Sequence, residues 1–133
     1  TSWVIYSPDV PVFRNDDYEL LETPWEVSVL TSPAPNLSGS GRIVADDEVR
    51  QILCERAGRV LSVAASNGHD GLVLGAWGCG VFGCRPAMVA GVFRDLLRGP
   101  FKGVFREVLF AVYDRTTNLV NLTPFAHCFP AGG

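Results

Sequence analysis

From Gly71 to Trp77 the chain reads Gly-Leu-Val-Leu-Gly-Ala-Trp, an apolar run with no polar face. It opens onto a loop with glycines at 78, 80 and 83 before reaching Pro86. A strand of this kind asks for cover on both faces, as the central strands of a parallel or mixed sheet have it. Pro86 sits where a first helical residue belongs, and Ala87–Leu97 follows as an amphipathic helix. Strand, Gly-rich loop, helix is the order in which open α/β sheets form ligand sites, at the carboxyl end of a strand. Glycine allows backbone conformations in which successive amide N–H groups face one point. The helix N-terminus adds partial positive charge there. Such a loop holds a phosphate or diphosphate without a lysine. It is not a Walker A loop, and Gly78-x-Gly80-x-x-Gly83 is followed by Cys84 where a dinucleotide fingerprint would continue. A tight turn that only needs its glycines is the alternative reading.

The rest of the chain fits the same class. Trp3–Tyr6 is β-rich, Val10–Phe13 is extended but interrupted by prolines, and Asn15–Asp17 is a turn from which Tyr18–Leu21 returns as a hairpin arm. Glu26–Thr31 alternates with period two and stops at Pro33 and Pro35. A polar Ser/Gly loop over Leu37–Gly41 follows. Ala45–Asn67 is the longest helical stretch, with Asp46 or Asp47 as its cap and Asn67-Gly68 as its stop. Phe101–Arg106 fits a further helical turn, Val108–Tyr113 a second buried strand, and Pro124–Phe129 a short helix. Ala131–Gly133 is expected to fray. The order of strands, helix, strand, helix, strand gives α/β with helices on both faces of one sheet. At 133 residues the chain is a single domain.

Composition narrows the partners. Apolar residues at 47% and charged ones at 19% exclude general disorder. A net charge of −3 supplies no basic field for direct nucleic-acid binding. No run is long enough for a membrane span and none reads as a signal peptide. Cys54, Cys79, Cys84 and Cys128 follow no zinc spacing, and His69 and His127 stand far apart. They read as reduced thiols of a cytoplasmic protein without metal or cofactor. Cys79 beside a helix N-terminus would be a low-pKa nucleophile, although no His or Arg stands near it in sequence as a partner. Thr1 in place of a start methionine raises the expectation of a processed chain or a fragment.

Leu72–Gly83 (LVLGAWGCGVFG) resembles the signature of the microbial-type poly(ADP-ribose) glycohydrolases. Ile5–Arg14 (IYSPDVPVFR) and Thr31–Asn36 (TSPAPN) are similar to two further stretches of that family, in the right order. The resemblance extends to about Arg115. It implies the macro-domain fold, a three-layer α/β/α arrangement around a mixed sheet that binds ADP-ribose, here lacking its N-terminal part. By the same resemblance, Gly78, Cys79, Gly80, Val81, Phe82 and Gly83 wrap the diphosphate and distal ribose, with Phe82 against that ribose. Read alone, Phe82 could equally be a core plug.

The family cleaves the ribose–ribose bond with a glutamate of a paired-Glu motif that follows a Gly-Gly-Gly loop. Neither motif occurs in this sequence. Asp46-Asp47-Glu48 has no triple glycine before it, so no catalytic residue is assigned. Cys84 stands where the family usually has Asn. Two functions remain: the ADP-ribose-binding portion of a glycohydrolase, completed by an N-terminal segment or a second chain, or a non-catalytic ADP-ribose-binding macro-like module. The partner in either case is ADP-ribose or an ADP-ribosylated protein.

Overall fold

The computed structural model describes residues 1–39 and 44–131. The expected loop residues Ser40 and Gly41, and the expected frayed end at Gly132 and Gly133, lie outside them. The chain runs β1 (Ile5–Arg14), β2 (Leu20–Thr31), α1 (Asp46–Ser66), β3 (Gly71–Leu74), α2 (Pro86–Arg98), β4 (Glu107–Phe110) and α3 (Leu122–Cys128).

β1 and β2 form an antiparallel hairpin that unites the four short extended pieces read from the sequence. Pro8 does not break β1, because the ladder shifts register between Ser7 and Val10, where Asp9 takes φ 53°, while Pro11 pairs with Glu26 beyond that shift. A bulge of this kind absorbs a proline that cannot donate to the ladder. The hairpin loop is held by Asn15, whose Oδ1 accepts the Asp17 and Glu19 amides at 3.0 and 2.9 Å.

β3 and β4 are parallel, in register from Gly71 with Glu107 to Leu74 with Phe110. Their inward residues Leu72, Leu74 and Phe110 pack on one core with Leu53 and Leu61 of α1, Val89 and Phe93 of α2, and Phe125 of α3. Phe110 is the hub: its ring lies 5.7 Å from Phe93, 5.3 Å from Phe125 and 4.2 Å from Phe129, the last pair stacked.

The α/β class expected from the sequence is what the described residues show, with three helices and small sheets. Among the described residues there are two separate two-stranded sheets. On the second, Val73 and Leu109 remain 72% and 58% exposed. An apolar run states what a strand would bury. It does not say which part of a chain supplies the cover. The strands are also shorter than expected, because Gly75 and Ala76 already belong to the turn system of the Gly-rich loop. Phe101–Arg106 is a series of turns rather than a helix: Lys102 and Val104 close turns on the carbonyls of Gly99 and Phe101, and Gly103 has φ 74°. At the start of α1 the cap residue is Ala45, with no side-chain cap. Asp46 pairs with Arg85 instead.

Candidate functional site

The loop leaves β3 through two tight bonds, Trp77 N–H to the Gly75 carbonyl at 2.8 Å and Cys79 N–H to Ala76 at 3.1 Å. Cys84 N–H then closes on the Gly78 carbonyl at 2.9 Å and Gly83 N–H on Gly80 at 3.0 Å. Four amides inside this frame, those of Gly78, Gly80, Val81 and Phe82, have no hydrogen-bond partner among the described residues. Gly80 to Gly83 are exposed, so these donors are not buried orphans. α2 begins immediately after, with Arg85 extended and Pro86 in its first turn. Unspent donors beside a helix N-terminus are what an anion requires.

The loop is mounted on the segment after β2. Trp77 Nε1–H donates to the Ser32 carbonyl at 3.0 Å, the Cys84 thiol to the Pro35 carbonyl at 3.3 Å, and Leu37 N–H to the Phe82 carbonyl at 2.8 Å. Arg56 of α1 steadies the same segment through the Pro33 carbonyl at 3.0 Å. Spacing in the sequence gave no hint of this mounting. The one signal was an indole N–H at the mouth of the loop in need of an acceptor.

The six candidate residues are contiguous and share the loop, but they differ in kind. Gly78 has φ 74°, and a Cβ there would come 2.7 Å from the Ala34 Cβ and 3.0 Å from the Cys84 sulfur, so this glycine lets the loop lie on its mount. A Cβ at Gly80 would meet nothing within 4 Å. Val81 is 87% exposed. Phe82 is 38% exposed and stands outside the core cluster, which removes the core-plug alternative. Cys84, in the family's Asn position, is buried under the loop.

The surroundings of Cys79 work against a nucleophilic thiolate. Burial, and behind it the neighbouring Cys84, push its thiol up to about 12 from an ordinary 9.0, the reverse of what a helix N-terminus would do. Among the described residues no Lys, Arg or His side chain donates to it. All four cysteines are free, and no group of three His, Cys, Asp or Glu among the described residues could hold a metal. No helix among them is long and apolar enough to cross a membrane. The first carboxylate after β4, Asp114, is committed elsewhere. Its two oxygens accept from Thr116 (N–H 2.9 Å, Oγ–H 2.7 Å) and from the Asn121 and Leu122 amides at 2.7 and 2.9 Å. Asp46 is held in its pair with Arg85.

No family model and no curated protein matches the chain. Solved structures do. The poly(ADP-ribose) glycohydrolase from Thermomonospora curvata aligns at 50% identity with TM-score 0.90, over 95% of this chain and 47% of that one. The same enzyme bound to the inhibitor ADP-HPD matches equally, over 95% and 48%. The Deinococcus radiodurans enzyme in complex with ADP-ribose matches at 46% identity with TM-score 0.88, over 96% and 52%. The chain thus spans about half the length of the structures it resembles.

Proposed function

This chain is a relative of the microbial poly(ADP-ribose) glycohydrolases, matching about half of each, and from that premise we propose that it is their C-terminal, ADP-ribose-holding portion. The observation that carries the reading is the set of four unpartnered amides on Gly78, Gly80, Val81 and Phe82 at the start of α2. A diphosphate accepts from several N–H groups at once and gains from the helix dipole. In such a site the charge is met by fixed dipoles rather than by a mobile lysine. Phe82, exposed beside them, offers an apolar wall for the adjoining ribose.

The finer reading follows from the same premise. Residues 1–133 form one macro-like unit, with the two small sheets as parts of a single mixed sheet in a three-layer α/β/α arrangement. The glutamate that acts on the leaving oxygen comes from outside the described residues, on a segment with the Gly-Gly-Gly and Glu-Glu motifs. ADP-ribose or ADP-ribosylated protein is the ligand, and reduced thiols fit a cytoplasmic setting.

The test is calorimetric titration of free ADP-ribose into the chain and into Gly80→Val. A Cβ at Gly80 would meet no protein atom within 4 Å, so the fold should persist in Gly80→Val, but the branched side chain would stand where the phosphates approach the amides. Binding by the parent chain and its loss in the variant are the expected results. Equal affinity in both would remove the loop from the site.

A further inference from the structure

α1 and α2 lie side by side and run in the same direction. Asp46 meets Arg85 at their starts, Arg50 reaches Asp95 farther along, and a Cβ at Gly58 would lie 4.0 Å from the Leu96 side chain toward the end of α2. The two N-termini therefore open on the same end of the molecule, the end to which the Gly-rich loop delivers the chain. They are charged in opposite ways. α1 carries Asp46, Asp47 and Glu48 in its first turn, which suits the partial positive charge of a helix start. α2 carries no acidic residue there, and its cap position is Arg85. A cation at a helix N-terminus is opposed by the dipole. The Arg85 and Ala87 amides have no partner among the described residues, so the unspent donors of the loop continue into the first turn of α2.

The guanidinium of Arg85 is only partly spent. Its Nη2 donates to Asp46 Oδ2, whereas Nε and Nη1 have no acceptor among the described residues. Both side chains of the pair stand in solvent, 62% and 68% exposed, and an ion pair so placed contributes little to folding. At most about 7 Å of backbone separates Arg85 from Gly83, a distance that an arginine side chain spans.

With the ADP-ribose reading of the loop as premise, we propose that Arg85 is the charged contact of that site: Asp46 tethers its guanidinium by one arm, and Nε and Nη1 bind the diphosphate that the loop amides meet. The amides supply partial charges. A guanidinium adds a full charge and a planar pair of donors that matches two phosphate oxygens. The tether fixes a long side chain before the ligand arrives, which lowers the entropy lost on binding. A bound anion also reverses the conflict at the start of α2, because it faces both the dipole and the cation. Asp46 has a cost in this arrangement, since its own negative charge stands near the phosphates. The competing role for the pair is a structural tie between the starts of α1 and α2.

Calorimetric titration of ADP-ribose into the parent chain, Arg85→Gln, Asp46→Asn and Gly80→Val, each checked for folding by denaturant titration, separates the two roles. Arg85→Gln should weaken binding by about tenfold, because charge-assisted bonds to phosphate are lost, and should flatten the fall of affinity with added salt. Asp46→Asn keeps an oxygen that accepts from Nη2 and removes the negative charge, so it should tighten binding by about two- to fivefold. A structural tie predicts that both variants weaken binding, and that result would overturn the proposal. So would a folded Arg85→Gln that binds like the parent. If Arg85→Gln fails to fold, Asp46→Asn decides: tighter binding upholds the assignment, and equal or weaker binding overturns it. Failure of the ADP-ribose reading has a different signature. A parent chain that does not bind ADP-ribose would remove both readings, whereas binding lost in Gly80→Val and unchanged in Arg85→Gln would keep the loop and discard Arg85.

Discussion

Gly78 and Gly80 are two residues apart and serve opposite ends. At Gly78 any side chain collides with Ala34 and Cys84, so this glycine is spent on the protein. At Gly80 the space is open, and an added Cβ would meet nothing within 4 Å. Phe82 follows the same division. Its truncation to Ala removes a ring that is 38% exposed and packs in no core. The folding cost should stay below about 1 kcal/mol, while ADP-ribose affinity falls by about tenfold, or about 1.4 kcal/mol. Phe125, 1% exposed under Phe110, is the control: Phe125→Ala should cost about 3–5 kcal/mol. Paired denaturant titrations and calorimetry read both numbers, and a Phe82→Ala loss as large as that of Phe125→Ala would place the ring in the core. Cys79 gives a sharper contrast. A thiol raised from 9.0 to about 12 carries about a thousandfold less thiolate at pH 8. Its alkylation by iodoacetamide, followed by mass spectrometry, should lag far behind that of a simple thiol. Rapid modification at neutral pH would reopen the nucleophile reading.

Among the elements, α3 depends on a loop more than on its own seven residues. Asp114 gathers Thr116 and the Asn121 and Leu122 amides, and the Thr116 hydroxyl foremost among them lowers its carboxyl from 3.8 to about 2. A folded value below the unfolded one means the carboxylate stabilises the loop fully above about pH 4. That contribution fades as pH falls through about 2. Amide exchange at Asn121 and Leu122 should therefore accelerate between those limits, and Asp114→Ala should show the fast rates already at neutral pH. Rates flat over that interval would mean the loop is held by something else.

The helices, and the strand–loop–helix order around the ligand loop, were legible because a 3.6-residue period, Pro86 and Asn67-Gly68 are local signals. The hairpin was legible only in pieces. A bulge that accommodates Pro8 depends on the partner strand, and single-strand reading sees the proline first. The mount of the ligand loop was illegible for a related reason: three of its bonds end on the backbone carbonyls of Ser32, Pro33 and Pro35, and the fourth runs from the Leu37 amide to the Phe82 carbonyl. Those groups belong to every residue and mark none.

At the scale of the molecule, the described residues divide into a side built on the Gly-rich loop and its mount and a sheet whose edges stay open. The loop is tied to its mount by the Trp77, Cys84 and Leu37 bonds, whereas Val73 and Leu109 stay bare and two strand edges face an open cleft. Binding and cleavage should therefore separate. General acid catalysis needs a carboxyl group held within hydrogen-bond reach of the leaving oxygen. Near the loop, Asp46 is exposed and committed to Arg85. Asp114, bound into its own turn and held ionised, cannot keep a proton at neutral pH and deliver it to a sugar oxygen. The chain alone should bind ADP-ribose yet release none from poly(ADP-ribose) or from ADP-ribosylated protein. Addition of the uncovered half of a related enzyme should restore release. Chromatographic assay of freed ADP-ribose, run with and without that second polypeptide, distinguishes the cases. Turnover by the chain alone, at a rate comparable to its full-length relatives, would show that one of its own carboxylates is the acid.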